Sequence, residues 1–127
     1  MITEFGACFN SISCRNEIEA VLDSCENTLC SGWAYWQFKQ YKDHTSSANQ
    51  GSNNLQGFYS DNGELQHYKV KALTRPSILK VPGTLISSKY VKLKNYYKAV
   101  FTITKRYNQL CQVVIYLNKD YYFEDGY

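Results

Sequence analysis

The sequence predicts an α/β segment in residues 1–76 and an antiparallel β segment in residues 77–127. In residues 2–38, a short strand, an amphipathic helix and a second strand follow one another, as in a βαβ unit with parallel strands. After Pro76, short β-type runs alternate with turn residues, which is typical of an antiparallel sheet or sandwich. An eight-stranded α/β barrel needs about 250 residues and a β-sandwich about 100. A chain of 127 residues therefore predicts two incomplete domains.

Each element of the βαβ unit has its own signal. Residues 2–5 are the first strand, and Ser13 is a candidate N-cap for the helix that follows. The helix is expected to end near residues 28–31. Its apolar side chains recur with the helical period: Ile18, Val21, Leu22, Cys25 and Leu29. The second strand, residues 32–38, is almost continuously apolar, which is typical of a parallel strand buried on both faces.

Turn residues and apolar runs predict the remaining elements. Residues 40–56 are a polar loop, and Asp61-Asn62-Gly63 is a turn. Residues 64–73 are compatible with a helix that stops before Arg75-Pro76. In the second segment, strands are predicted at residues 90–93, 99–104 and 111–117.

Composition and charge exclude several classes of protein. The net charge of +3 comes from 14 basic and 11 acidic residues interspersed along the chain, a balance too weak to indicate nucleic-acid binding. No apolar run approaches the ~18 residues of a membrane-spanning helix, and the N-terminus lacks the features of a signal peptide. The 12 tyrosines suit half-buried strands, and they also suit stacking on sugars. The densest basic stretch has the spacing of the solvent face of strands: Lys89, Lys92, Lys94 and Lys98.

The five cysteines leave two interpretations open. Their spacings match no common zinc pattern. Four of them lie close together and suit one or two local disulfides in an oxidising compartment. The alternative is that they are free buried thiols. The cysteines are Cys8, Cys14, Cys25, Cys30 and Cys111.

Glu4 and the tryptophans are the candidate functional residues. Glu4 follows the first strand, at the position where an α/β barrel keeps its catalytic groups. Trp36 ends the second strand, which is expected to lie beside the first, so both side chains are expected at one rim. An indole ring stacks on the apolar face of a sugar while a carboxylate meets the anomeric carbon. Because side chains alternate along a strand, Trp33 and Trp36 are expected on opposite faces, one in the barrel mouth and one toward the helix layer.

These residues carry a resemblance to a known family. Glu4-Phe5-Gly6-Ala7 and residues 33–39 (Trp-Ala-Tyr-Trp-Gln-Phe-Lys), with Asp43 and Thr45, resemble the last two barrel strands of clan-A glycoside hydrolases. More narrowly, the chain is similar to the cellulase-like family 5 glycosidases of the endoglycoceramidase and glucosylceramidase group. Further matches are Gly57-Phe58-Tyr59 and residues 69–76 (Lys-Val-Lys-Ala-Leu-Thr-Arg-Pro) to the final barrel helix, and residues 115–117 and 125–127 to the C-terminal sandwich.

The resemblance implies the end of a TIM (β/α)8 barrel in residues 1–76, and the start of a C-terminal β-sandwich in residues 77–127. It also implies a retaining hydrolase that cleaves the β-glycosidic bond between a sugar and a lipid aglycone, with Glu4 as the nucleophile. Trp36 matches the sugar-stacking tryptophan of the family. Further candidates for substrate contact are Trp33, Lys39 and Asp43.

A retaining mechanism needs a second carboxyl about 5 to 5.5 Å from the nucleophile. In the family it lies in an Asn-Glu pair after barrel strand four, ahead of the two strands found here. Asn16-Glu17 is such a pair, but it lies in the predicted helix and therefore in the wrong layer. The isolated chain is accordingly expected to be inactive.

The expected partner is a glycolipid or oligosaccharide substrate, with no cofactor, no metal and no nucleic acid. Peripheral contact with membrane lipid is compatible with this interpretation, and no obligate protein partner is evident. The full-length parent is expected to be secreted or lysosomal/vesicular. Two alternatives stay open: a non-catalytic carbohydrate- or lipid-binding module rich in β-structure, and a degenerate gene product without a function of its own.

Overall fold

A computed structural model describes residues 1–38, 56–60, 62–104 and 111–122. These residues form two compact units. The first contains Met1–Cys25 and Cys30–Leu73, and the second contains Glu26–Leu29 and Thr74–Tyr127. The main chain passes between the two units after residues 25, 29 and 73. The assignment of residues 1–76 to a barrel and of residues 77–127 to a sandwich stays a prediction.

The first unit contains the predicted βαβ arrangement. Strand β1 (Ile2–Thr3) pairs in parallel with β2 (Trp33–Ala34), and helix α1 (Ile12–Thr28) connects them. The prediction of parallel pairing is confirmed. The prediction that the second strand is buried on both faces is wrong, since Trp33 and Ala34 are both exposed. Burial of both faces requires helices over a wider parallel sheet, and the described sheet has two strands.

Helix α1 begins two residues earlier than an N-cap at Ser13 would place it. The Oγ of Ser11 accepts a hydrogen bond from the N–H of Cys14 at 3.2 Å, so Ser11 is the N-cap. Ser13 lies inside the helix and donates to the carboxylate of Glu17 at 3.4 Å. The predicted apolar face is largely confirmed, because Ile18, Leu22 and Cys25 are buried. Leu29 follows the helix and is exposed.

The core of the first unit joins α1 to α2 (His67–Leu73). Its buried apolar side chains are Cys14, Ile18, Leu22 and Ala72. Helix α2 starts three residues later than predicted because Leu65 forms a β-bridge with Tyr59 instead. Asn62 and Gly63 lie in the predicted turn, where the N–H of Gly63 donates to the carbonyl of Ser60 at 3.0 Å. The first residue of that prediction, Asp61, lies outside the described residues.

The structure shows the local disulfide interpretation for one pair of cysteines. Cys8 and Cys14 form a disulfide, with their Cα atoms 5.4 Å apart. It ties the loop after β1 to the first turn of α1. Cys25, Cys30 and Cys111 form no disulfide in the described structure.

The second unit is built from antiparallel strand pairs, as predicted. β3 (Ser77–Lys80) pairs with β6 (Val114–Tyr116), and β4 (Leu85–Val91) pairs with β5 (Tyr96–Phe101). Three details of the prediction are wrong: β3 was not expected, the strand expected at residues 90–93 begins at Leu85, and the strand expected at residues 99–104 begins and ends three residues earlier. Residues 92–94 are instead a turn of 3₁₀-helix, closed by Asn95 in the left-handed conformation. The assembly of these pairs into a sandwich stays a prediction.

The second unit contains an ion pair between Arg75 and Glu26 that is largely buried. The guanidinium of Arg75 contacts the carboxylate of Glu26 at 2.9 Å, and the same carboxylate accepts the N–H of Tyr90 at 3.1 Å. The ring of Tyr90 packs edge-on against Tyr122, with centroids 5.3 Å apart. The lysines predicted on the solvent face are all exposed: Lys89, Lys92, Lys94 and Lys98.

Candidate active site at the ends of two parallel strands

The pairing of β1 with β2 brings Glu4 and Trp36 to one edge of the sheet. Ile2 lies opposite Trp33, and Thr3 lies opposite Ala34. The alignment continues beyond the strands, because the N–H of Trp36 donates to the carbonyl of Phe5 at 3.2 Å. Both strands run in the same direction, so the residues that follow them leave the sheet at the same edge. Glu4 and Trp36 are two such residues, and both are exposed.

Glu4 has an uncommon backbone conformation. Its φ is +65°, a left-handed value that few residues other than glycine adopt. The chain therefore turns at Glu4 as it leaves β1, and the carboxylate stands on a bend. Backbone of this kind is frequent at functional positions, where the surrounding structure holds it in place.

A glycine and a tyrosine fix the bend that follows Glu4. Gly6 has a φ of +105°, and the ring of Tyr35 occupies the space that a Cβ atom there would need. The Tyr35 hydroxyl donates to the carbonyl of Gly6 at 3.3 Å. Burial raises the pKa of this hydroxyl above its ordinary value, so the hydroxyl keeps the proton that it donates. The contact links the loop after β1 to the segment after β2.

Aromatic rings surround this link. Phe5 packs edge-on against Trp33 and Tyr35, at centroid distances of 5.8 and 5.7 Å. Tyr35 stacks on Phe58 at 5.2 Å, and Phe58 in turn meets Phe38 at 5.5 Å. These contacts pack the segments that follow β1 and β2 against each other and against Phe58. The tryptophans were predicted from the sequence and this cluster was not, although the density of aromatic residues between 33 and 38 was a signal for it.

The predicted site residues have different outcomes. Trp33 is 41% exposed and Trp36 is 45% exposed, so neither is a core residue in the described structure. Exposed rings at a strand edge are available for stacking. Lys39 and Asp43 lie outside the described residues.

Glu17, from the excluded Asn16-Glu17 pair, lies on α1 as expected and borders a cavity of about 240 Å³. The loop after β1 forms the other wall of this cavity. The cavity is lined by Phe5, Gly6, Ala7, Cys8, Glu17, Ile18 and Val21. Its single carboxylate gives it an acidic rim.

In residues 1–38, 56–60, 62–104 and 111–122, no group of three histidine, cysteine, aspartate or glutamate side chains is placed to hold a metal ion. No helix there combines the length and apolar character needed to cross a membrane.

Comparisons with known proteins gave no match to a family model, to a curated protein or to a solved structure.

Proposed function

We propose that this chain carries the nucleophile strand and the sugar-stacking strand of a retaining β-glycosidase that acts on a glycolipid. The observation that carries the proposal is the parallel register of β1 and β2, which brings Glu4 and Trp36 to one edge. A carboxylate and an exposed indole at the carboxyl ends of neighbouring parallel strands can supply a nucleophile and a stacking surface for a pyranose ring. The resemblance to family 5 glycosidases supports the same assignment.

In the proposed reaction, the sugar rests on the ring of Trp36, and the carboxylate of Glu4 attacks its anomeric carbon. The bond to the aglycone oxygen breaks as that oxygen receives a proton from a second carboxyl group, which leaves a sugar ester on Glu4. Water then attacks the anomeric carbon with help from the same second carboxyl, and Glu4 is released. The second carboxyl is expected on an earlier barrel strand, so the 127-residue chain by itself should not turn over substrate.

The first test is the genomic DNA upstream of the Met1 codon. An open frame that encodes an Asn-Glu pair at a strand end supports the proposal, and a stop codon directly upstream would overturn it. In protein expressed from that open frame, Glu4→Ala should lower kcat by at least about 10³-fold, as removal of a nucleophile does. Glu17→Ala, which removes the helix carboxylate beside the same loop, is the matched control and should leave kcat unchanged.

A chemical rescue distinguishes a nucleophile from a merely structural glutamate. In the Glu4→Ala protein, azide can attack the anomeric carbon from the vacated side and should yield a glycosyl azide of inverted configuration. Recovery of a product with retained configuration would mean that Glu4 is the acid/base instead. Turnover of glucosylceramide or an aryl glucoside by the isolated chain would show that the second carboxyl lies within it.

The exposed rings favour a second candidate, a non-catalytic sugar- or lipid-binding module. Trp33, Trp36 and Phe38 are all exposed on the segment 33–38, as in a stacking surface. Titration of the isolated chain with a soluble alkyl glucoside, followed by tryptophan fluorescence, tests this candidate. Saturable binding that is lost in Trp36→Ala, together with an upstream stop codon, would favour the module over the enzyme.

A further inference from the structure

Helix α1 ends in a motif that brings two cysteines together. Leu29 has a φ of +48°, and its N–H donates to the carbonyl of Glu26 at 3.3 Å. The N–H of Cys30 reaches back to the carbonyl of Cys25 at 3.0 Å. This pair of hydrogen bonds around a left-handed residue is the Schellman motif. Its two outer residues, here Cys25 and Cys30, are those whose side chains normally touch.

The two thiols are in contact and have different environments. Their side chains are hydrogen-bonded to each other, and this bond lowers the pKa of Cys30 below its ordinary value, although burial opposes the shift. Cys30 is half-buried, and its Sγ also lies 3.4 Å from the carbonyl oxygen of Gly32. Cys25 is buried, with 5% of its surface exposed. Cys30 is therefore the thiol that an external reagent can reach, and Cys25 lies directly behind it.

We propose that Cys25 and Cys30 are a redox-active dithiol that closes to a second disulfide at the C-terminal end of α1. The backbone hydrogen bond keeps the main chains of the two residues adjacent, and the hydrogen bond between their side chains brings the two sulfurs together. The first disulfide, Cys8–Cys14, lies at the other end of the same helix. Oxidation would thus cross-link α1 at both ends. Neither the proposed glycosidase activity nor its nucleophile is needed for this inference.

The oxidant that the reaction requires is a small disulfide such as oxidised glutathione. The Cys30 thiolate attacks one sulfur of that disulfide and expels a thiolate, which forms a mixed disulfide on Cys30. The sulfur of Cys25 then gives up its proton, attacks the Sγ of Cys30 and expels the second thiolate. Two electrons pass from the protein dithiol to the small disulfide, and the two released thiolates take up the two protons.

The experiment uses the full chain, and trypsin separates the three groups of cysteines. Cleavage after arginine and lysine places Cys8 and Cys14 in peptide 1–15, Cys25 and Cys30 in peptide 16–39, and Cys111 in peptide 107–119. The chain is incubated with oxidised glutathione, and the remaining thiols are blocked with N-ethylmaleimide. Mass spectrometry of the peptides then reports the state of each cysteine.

The expected result is that peptide 16–39 loses both maleimide labels and is lighter by two hydrogen atoms than its dithiol form. Cys111 is exposed and serves as an internal control that should carry a stable mixed disulfide. In Cys25→Ser, Cys30 should likewise stop at the mixed disulfide. The proposal is overturned if Cys30 of the unmodified sequence also stops there, or if peptide 16–39 keeps two labels while Cys111 is fully modified.

Discussion

Lys69 makes the stability of this chain depend on pH in a direction that can be measured. It lies in α2 and is fully buried, with 0% of its surface exposed. Burial lowers the pKa of its ammonium group from 10.5 to about 8, because an apolar environment disfavours the charged form. One pKa unit corresponds to about 1.4 kcal/mol, so the difference of 2.5 units (10.5 − 8) corresponds to about 3 kcal/mol.

The sign of the effect follows from where the proton is bound. Below pH 8, Lys69 is protonated in both the folded and the unfolded chain, and the folded state carries the full cost of about 3 kcal/mol. Between pH 8 and 10.5, the unfolded chain still holds a proton that the folded chain has released. The free energy of unfolding therefore gains a contribution that rises with pH through this window and is complete above it.

The perturbation is Lys69→Met, which keeps the length of the side chain and removes the charge. Urea unfolding is followed by tryptophan fluorescence, which reports on the first unit because both tryptophans lie there. The quantity to compare is the free energy of unfolding of the variant minus that of the unmodified chain. This difference should be about 3 kcal/mol larger at pH 7 than at pH 10.5. The loss of other Lys69 contacts shifts the comparison equally at every pH, so the change with pH is the quantity to measure.

Two features make the pH dependence of this difference specific to Lys69. Buried tyrosine hydroxyls have raised pKa values and lower the stability at high pH, but they do so equally in both proteins. Lys94→Met, which alters an exposed lysine, is the control and should show no such dependence. A difference between the Lys69→Met and unmodified proteins that stays constant from pH 7 to 10.5 would refute a neutralising role for burial.

Two further predictions concern stability. Replacing Cys8 and Cys14 together by serine opens a loop with a sequence separation of 6, and chain entropy predicts a loss of about 2 kcal/mol. Urea unfolding with and without reductant checks this, since reductant should then no longer destabilise the first unit. Glu26→Ala leaves the buried guanidinium of Arg75 without its carboxylate and should cost about 3 kcal/mol. The exposed Glu17→Ala is its control, and equal losses in the two variants would contradict the role of the ion pair.

Elements specified by local signals were predicted well from the sequence. The apolar period of α1 gave its buried face, and the Asn62-Gly63 and Asn95 turns follow from the ease with which glycine and asparagine adopt left-handed conformations. The N-cap was placed at Ser13 instead of Ser11 because serines occupy both positions. Only the hydrogen bond to Cys14 distinguishes them, and a sequence does not show it.

Features that depend on distant neighbours were predicted poorly. β3 contains Ser77, Ile78 and Leu79, a short run without alternation, and it becomes a strand through its pairing with β6. The same dependence explains the wrong burial of the second strand. An apolar sequence indicates which side chains of a strand can be buried. Whether they are buried depends on the layers that pack against the strand.

The motif that carried much of the resemblance has a structural explanation. Within residues 69–76, the side chains of Lys69, Ala72, Arg75 and Pro76 are buried, whereas those between them are partly exposed. Ala72 packs in the core of the first unit, and Arg75 forms the ion pair with Glu26 in the second. The motif therefore describes packing at the end of one unit and the start of the next, and it bears on function only through the family that it indicates.

Under the proposed function, the exposure of β2 and the need for a second carboxyl have one explanation. Two parallel strands of two residues each share few hydrogen bonds, and such pairs are stable in proteins when further strands and helices cover them. A complete barrel would supply those strands, would cover Trp33 and Ala34, and would place an acid/base carboxyl opposite Glu4. The aromatic cluster of Phe5, Tyr35 and Phe58 holds the strand ends in the described structure. It therefore links the segment that carries Glu4 to the segment that carries Trp36 within the described residues.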